Sequence, residues 1–554
     1  MNIQNIDFDT VVSIWRENLW PGRKDDIKAT NNIKYLGGRD SAIHKQQAVF
    51  FGAYVAGNLV GVNSGFSTLN GGFRSRGLWV DPAQRSKGIA KALLTETIKH
   101  ARKQGFSYVW SMPRQSALSA YTGAGFKQTS DFFDEGVEFG PNCFVRLDLV
   151  NNSFCPLPFI HVSTLPSGET RLCCKAVDNH IPEGNLNDTT IQDIWNGEYY
   201  TAVRTQMLKG EYPEACKVCY DEDAVGKRSM RVKEMEIWQD SPALQSALSS
   251  EHNGVLETDP VYLDLRMGNL CNLKCRTCDP VSSSQIHREG KQLEDSPVFF
   301  RQKMTDADQM KSWWETEQFK NSLEDLLPTT ELIWLSGGEP TLVPEGNKLI
   351  QDCIDKGYAQ DITLRLVVNL TNISDDFVKN YEQFREANFH CSIDAIGDAN
   401  DYLRYPSRFE VLESNLRKIV NSKSDLVCLI CTVSLMNIGR LPEIINWLDH
   451  FNETSPNRVR LNINPLNEPE IFHPAILDDE TKREITEKLS SYKTNEKNTR
   501  ELHSLLEMMN ERKANSIELR KDFRKYIDSV DRIRSQRFIE VFPELARFYE
   551  LCND

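Results

Sequence analysis

Cys271-Asn-Leu-Lys-Cys275-Arg-Thr-Cys278 places three thiols in one short stretch, directly after an apolar strand-like run, Val261-Tyr-Leu-Asp-Leu-Arg266. Thiolates are the usual protein ligands of iron–sulfur clusters, and a four-iron cluster held by protein alone takes four of them. A loop that offers three leaves one iron open. An open coordination position is what separates a catalytic metal site from a structural one. Closely spaced cysteines also suit structural zinc, but zinc favours paired CxxC units with a second pair elsewhere. A lone trio answers that pattern poorly, so the next motif decides.

That motif is Leu332-Ile-Trp-Leu-Ser336, which reads as a buried strand and ends in Gly337-Gly338-Glu339-Pro340. Glycines let the backbone approach a ligand closely, and a carboxylate suits an ammonium group. CxxxCxxC followed by GGEP resembles the signature of the radical S-adenosylmethionine (radical SAM) superfamily. The resemblance implies a [4Fe–4S] cluster on Cys271, Cys275 and Cys278, its open iron chelated by the amino and carboxylate groups of SAM. It also implies that Gly337, Gly338 and Glu339 bind the SAM amino group. Reduced cluster then cleaves SAM to methionine and a 5′-deoxyadenosyl radical, which takes a hydrogen atom from substrate. Thr277 stands where the superfamily often has an aromatic residue near adenine, so that packing is expected from elsewhere.

Strand-like runs recur at 261–266, 332–336, 362–369, 389–394, 426–434 and 459–464, with helical patterns between them. Alternating β and α segments predict a parallel sheet with helices outside. Six repeats match the superfamily's partial (β/α)6 barrel, expected over 255–475. Functional side chains belong at the C-terminal strand ends, where the chain offers Asn369, Ser392 and Asp394. Similar enzymes hold the SAM carboxylate with a Ser at the fourth strand and an Arg soon after it, which points to Ser392 and Arg404. Residues 281–330 interrupt the repeats with Phe299, Phe300, Trp313, Trp314 and Phe319, expected on amphipathic helices. The stretch 476–554 is expected to be a helical C-terminal extension. Its stripe of Leu519, Phe523, Tyr526, Ile527, Val530 and Ile533 reads as core packing.

Upstream, residues 1–150 carry a hairpin pattern around Ala56-Gly-Asn, a strand Gly77-Leu-Trp-Val80, then Asp81-Pro-Ala-Gln-Arg85-Ser-Lys-Gly88-Ile-Ala90 and a helical pattern. A strand running through a Gly-bearing loop into a helix is a ready anion site. The stretch resembles motif A of the GNAT acetyltransferases, which cradles the pyrophosphate of acetyl-CoA. Arg85, Gly88 and Ala90 hold its three defining positions. Ala117-Leu-Ser-Ala-Tyr121-Thr-Gly-Ala-Gly125-Phe126 resembles the family's closing motif, whose Tyr protonates the departing CoA thiolate; Tyr121 is the catalytic candidate. Arg114 replaces the Asn usual three residues before Ala117, and no residue stands out as a general base. A GNAT fold that has lost acetyl transfer remains open.

Residues 151–254 carry Cys155, Cys173-Cys174, a Gly184-Asn-Leu turn, Ile194-Trp195 and Cys216-Lys-Val-Cys219. The order of marks resembles the SPASM/twitch auxiliary-cluster domain of radical SAM enzymes. Cys155, Cys173, Cys216 and Cys219 are the implied ligands of a second [4Fe–4S] cluster, with Cys174 competing for the place of Cys173. Four cysteines including a CxxC also describe a zinc ribbon. In the family this domain follows the barrel; here it precedes it.

The reading is therefore an α/β multidomain chain: a GNAT-like domain, a small cysteine-rich twitch-like domain, a partial radical SAM barrel and a helical tail. Its length of 554 residues suits three or more units. Hydrophobic content of 40% against 26% charged is that of a soluble protein, and no apolar run spans a bilayer. The N-terminus lacks the features of a signal peptide, so the cytoplasm is the expected location, where fourteen cysteines serve as ligands and buried thiols rather than disulfides. A net charge of −14 argues against nucleic acid as partner. The resemblance implies a peptide or protein substrate and an electron donor such as flavodoxin or ferredoxin. One alternative is tRNA modification with acetyl-CoA and SAM, similar to the Elongator catalytic subunit, whose modules run in the opposite order. Another is a non-catalytic metal-binding scaffold.

Overall fold

The computed structural model describes all residues except 24–25, 31–47, 69–71, 105, 135–139, 151–152, 178–180, 182–183, 225–227, 250–252, 294–296, 512, 514 and 554. They fall into two compact units. The first comprises Met1–His161, Leu172–Asn179 and Trp195–Pro260; the second comprises Val162–Arg171, His180–Ile194 and Val261–Asp554. Both are mixed α/β. No helix among the described residues is long and apolar enough to cross a membrane.

The first unit holds a seven-stranded sheet: β1 (Asn2–Asn5), β2 (Val49–Val55), β3 (Asn58–Thr68), β4 (Gly72–Val80), β5 (Tyr108–Ser111), β6 (Lys127–Gln128) and β7 (Val145–Asp148), in the order β1-β2-β3-β4-β5-β7-β6. The expected β2–β3 hairpin turns at Ala56 and Gly57, both at positive φ, which matches the twist of a two-residue turn. Neighbours run antiparallel except β4 and β5, which pair in parallel only from Gly72–Tyr108 to Arg74–Trp110. Beyond those residues no pairing joins them, and a cavity of about 1110 Å³ opens there. The helix Ile89–Lys103 buries Leu93, Leu94, Thr97 and Ala101, one face at helical spacing. Leu94 and Ala101 join Phe73, Phe106, Val109, Tyr121 and Phe126 in the core.

The second unit holds an eight-stranded sheet: β8 (His161–Thr164), β9 (Thr170–Arg171), β10 (Tyr262–Leu265), β11 (Leu332–Leu335), β12 (Thr363–Val368), β13 (Glu386–Ser392), β14 (Leu426–Val433) and β15 (Arg460–Pro465). The order is β15-β14-β13-β12-β11-β10-β8-β9, with β10 to β15 all parallel and in chain order. All six expected strands are present, and the sheet is open, with β9 and β15 at its edges. Helices cross between strands: Pro344–Asp355, Asp375–Tyr381, Phe409–Val420 and Leu441–Glu453. β14 shows how the sheet is dressed: Val427, Leu429, Cys431 and Val433 are buried, while Leu426, Cys428, Ile430 and Thr432 on the other face are half-buried. One face is core, and the other is partly open.

The interruption between β10 and β11 is helical as expected, at Ser284–Gly290, Val298–Asp308 and Glu317–Leu326. Ser283 and Thr316 cap two of these helices with their hydroxyls, each accepting a backbone N–H of the first turn. The long helix Ser516–Arg534 buries Leu519, Phe523, Tyr526, Ile527 and Val530, and Tyr526 stacks on Phe300 with centroids 4.6 Å apart.

Candidate functional site

In the second unit, the cysteine loop and the Gly-Gly-Glu turn pack directly on each other. Glu339 N–H donates to the Leu270 carbonyl at 2.7 Å. Gly338 has φ +52, and a Cβ there would stand 2.3 Å from the Leu270 oxygen, so only glycine permits the approach. Glu339 is 1% exposed. One of its oxygens accepts the Asn369 N–H at 2.6 Å, and the other accepts the Thr341 hydroxyl at 2.7 Å. Burial raises its pKa, and those hydrogen bonds together with nearby Arg404 oppose the rise. Asn369 lies just past β12 and sends its amide to Asn272 Oδ1 at 2.9 Å and towards Cys271 Sγ at 4.0 Å. The next residue, Leu370, holds φ +64, a strained conformation for a bulky side chain, which costs about 1–3 kcal/mol.

Arg404 caps the C-terminus of the helix Asp398–Leu403 and is 9% exposed. Its Nη1 donates to Asp394 Oδ2 at 2.9 Å, and Asp394 Oδ1 accepts the Thr432 N–H at 2.8 Å. Burial works against the Arg404 charge, but Cys275, Asp394 and Cys271 outweigh it and raise its pKa. Ser392 closes β13 opposite Ile430 and is half-buried. Glu339, Asn369 and Arg404 therefore all lie about the cysteine loop. Asp394 joins them through its ion pair with Arg404, and Ser392 ends the neighbouring strand.

The three thiols sense one another. Burial and then Cys275 push Cys271 up to about 11; burial, Asp279, Cys275 and Cys271 push Cys278 well up; burial raises Cys275. Metal ligation must displace those protons. The second set lies wholly in the first unit. Burial and then Cys173, Cys216 and Cys219 raise Cys155 strongly, while Cys173 stands at about 12 and Cys216 at about 11, burial leading in both. A backbone bond from Val177 N–H to the Ala215 carbonyl at 3.0 Å ties the Cys173 turn to the Cys216 turn. Cys174 is exposed, with its sulfur 3.5 Å from that of Met230. Among the described residues no three Cys, His, Asp or Glu side chains converge as a single-ion site needs.

The cavity beside β4 and β5 is lined by Arg85, Gly88, Ala90 and Tyr121 together. Gly88, at φ +78, starts the helix Ile89–Lys103, and a Cβ there would meet nothing within 4 Å. The first N–H groups of that helix lack intrahelical acceptors. Tyr121 is 3% exposed, and the Ser111 hydroxyl donates to its oxygen at 3.0 Å. Burial raises its pKa, which keeps the phenol protonated.

Sequence reasoning missed the groups that hold these side chains: Thr341 under Glu339, Thr432 under Asp394 and Asn437, whose amide donates to the Asp394 carbonyl at 2.7 Å. Thr341 lies two residues from Glu339 inside the GGEP turn and was within reach of a capping argument. The others come from β14 and the turn that follows it, remote in sequence from Asp394, and left no local signal.

Residues 155–220 match SPASM, an iron–sulfur cluster-binding domain, and residues 13–126 match the acetyltransferase (GNAT) family. The chain thus carries an iron–sulfur cluster-binding domain and a GNAT acetyltransferase domain. No curated protein matches it. Similar solved structures include an acyl-CoA N-acyltransferase from Klebsiella pneumoniae (14% identity, 27% of this chain, 97% of that one, TM-score 0.21). A phosphinothricin acetyltransferase from Sinorhizobium meliloti in complex with AcCoA is similar at 17% identity, over 26% of this chain and 87% of that one, with TM-score 0.22. A ribosomal-protein-alanine N-acetyltransferase from Brucella melitensis is similar at 16% identity, over 27% and 100%, with TM-score 0.21.

Proposed function

We propose that the chain is a radical SAM enzyme with one auxiliary cluster, acting on a peptide or protein, with an acetyl-CoA-binding GNAT domain attached. The observation that supports this most is the packing of Glu339 and Arg404, one buried anion and one buried cation, about the loop of Cys271, Cys275 and Cys278. Those three cysteines would hold a [4Fe–4S] cluster, and Cys155, Cys173, Cys216 and Cys219 the second. Held there with SAM, such a cluster would supply the one-electron chemistry that breaks a sulfonium C–S bond to give methionine and the 5′-deoxyadenosyl radical, which takes a hydrogen atom from substrate.

The chain's own residues do the rest. Glu339 receives the SAM ammonium, and Gly337 and Gly338 keep the turn bare of side chains. Arg404 spends one nitrogen on Asp394 and keeps others for the SAM carboxylate, since a guanidinium has five donor hydrogens. Asn369 and Ser392 stand at strand ends for further SAM contacts. In the GNAT domain, Arg85, Gly88 and Ala90 receive the CoA pyrophosphate, and Tyr121 returns a proton to the thiolate. Flavodoxin or ferredoxin is the class of electron donor, and the cytoplasm the compartment.

Anaerobic purification, followed by assay of iron, acid-labile sulfide and 5′-deoxyadenosine release under reductant, tests the reading. Iron with SAM cleavage is expected. Zinc in the Cys155 set after anaerobic reconstitution would remove the auxiliary cluster, and iron without SAM cleavage would leave a scaffold.

A further inference from the structure

The open face of the second unit's sheet carries polar groups that the fold itself does not use. Strand register sets Asp264, Trp334 and Arg365 side by side on β10, β11 and β12. Two residues further along, Arg266 and Ser336 continue the same face. On β13, His390 lies opposite Val367. Adjacent strands are about 4.8 Å apart, so the row spans roughly 10 Å.

Five atoms here are buried with no hydrogen-bond partner: Asp264 Oδ1, Arg266 Nε, Trp334 Nε1, Ser336 Oγ and Arg365 Nε. Asp264 is 5% exposed, and only its other oxygen is used, by the Ser163 hydroxyl at 2.7 Å. Buried polar groups in folded proteins are paired in roughly 90% of cases or more, so five orphans gathered on three adjoining strands leave hydrogen-bonding capacity for a ligand. Four of the five are donors. The Arg365 guanidinium lies over the Trp334 ring at 4.9 Å, and that ring is 5.5 Å from His390. Among the described residues no carboxylate forms an ion pair with Arg266 or Arg365. Burial and then Arg365 push His390 down to about 4, so near neutrality it adds no charge of its own.

We propose that this face is a substrate subsite for a ligand presenting an anionic oxygen group, a carboxylate or a phosphate, to Arg365 and Arg266. Guanidinium planes match both groups with paired hydrogen bonds. The Trp334 indole and the Ser336 hydroxyl add donors, and Asp264 Oδ1 accepts an N–H next to the anionic group. Leaving Asp264 and Arg365 apart, with Trp334 between them, keeps each charge for the ligand rather than for the other. The inference rests on the proposed function for the identity of the substrate, and on the sheet alone for the binding.

The test titrates the full chain, with clusters reconstituted and SAM added, against end-blocked peptides Gly-Gly-X-Gly-Gly in a calorimeter. X is Glu, phosphoserine or Gln. The Glu or the phosphoserine peptide should bind about tenfold or more tightly than the Gln peptide, and which of the two wins tells carboxylate from phosphate. Arg365→Met should remove that preference while SAM affinity stays as it was, and Arg365→Lys should restore part of it. If Arg365→Met fails to fold, Trp334→Phe keeps the ring, loses the N–H and should weaken the anionic peptide about threefold. Equal binding of Gln and anionic peptides, no binding at millimolar concentration, or indifference to Arg365→Met in a folded protein overturns the proposal. Loss of iron or of SAM cleavage in the unaltered chain strikes the radical reading instead, and the peptide titration still stands by itself.

Discussion

Arg276, inside the cysteine loop, donates from Nη2 to Asp531 Oδ1 at 2.6 Å across 255 residues of sequence. Both side chains are buried, and the same guanidinium lies over the Tyr402 ring at 3.5 Å and reaches Gln536 Oε1 at 2.9 Å. A second tie runs beside it: Arg534 pairs with Glu289, which also receives Lys274 at 3.2 Å. The loop residues on either side of Cys275 are thus both held, directly or through Glu289, by the long helix Ser516–Arg534.

Asp531→Ala should therefore cost more than a surface change. It strands a buried guanidinium and removes the acceptor for the Phe538 N–H, bonded at 2.7 Å. Breaking a buried pair from one side costs about 3–5 kcal/mol. Thermal unfolding should show a large drop in Tm, and iron retention after reconstitution should fall with it. An unchanged melt would mean the clamp is decorative.

Replacing Cys271, Cys275 and Cys278 by Ala together should remove about half the iron and all SAM cleavage, and replacing Cys216 and Cys219 about the other half, as the proposed pair of separate clusters requires. Cys174→Ala should leave the iron content intact, since Cys174 is exposed and turned to Met230. Iron and sulfide analysis reads all three.

Arg404→Ala should weaken SAM by about 30- to 150-fold, the loss of a charged hydrogen bond worth roughly 2–3 kcal/mol. Asp394, 4% exposed, is left with its Thr432 N–H but no cation, so some stability goes too. The cluster's EPR signal should persist, which separates ligand binding from cluster loss.

The pH dependence of SAM binding should report Glu339. Its raised pKa means the folded chain holds the proton more tightly than an unfolded chain. The ionised carboxylate therefore costs stability as pH rises through the raised value. SAM ammonium needs that carboxylate, so affinity should fall as pH is lowered through the same value, above the usual range for Glu. Glu339→Gln should bind weakly and lose the pH dependence.

Gly88→Asp should abolish acetyl-CoA binding measured by calorimetry. The left-handed φ of +78 disfavours any side chain, and the added charge would stand at the helix start proposed to receive the pyrophosphate. Gly88→Ala carries the strain without the charge and should bind more weakly than the unaltered chain but better than Gly88→Asp.

The sequence by itself determined the elements and the chemistry of their ends. Hydrophobic periodicity located β10 to β15, and glycines marked the turns at Gly57, Gly88 and Gly338. These are local properties, fixed by backbone sterics and by groups a few residues apart. What only the tertiary structure decided are relationships across long loops: Asp531 under Arg276, Thr432 under Asp394, and the row of Asp264, Trp334 and Arg365. Such rows depend on strand register, and register is set by the packing of whole faces, where a shift of one residue turns every side chain to the other side. The sequence also left open whether Cys173 or Cys174 joins Cys155, Cys216 and Cys219. The fold brings Cys173 within electrostatic reach of Cys216 and Cys219 and leaves Cys174 exposed beside Met230, a difference in side-chain direction that adjacent positions in a sequence do not reveal.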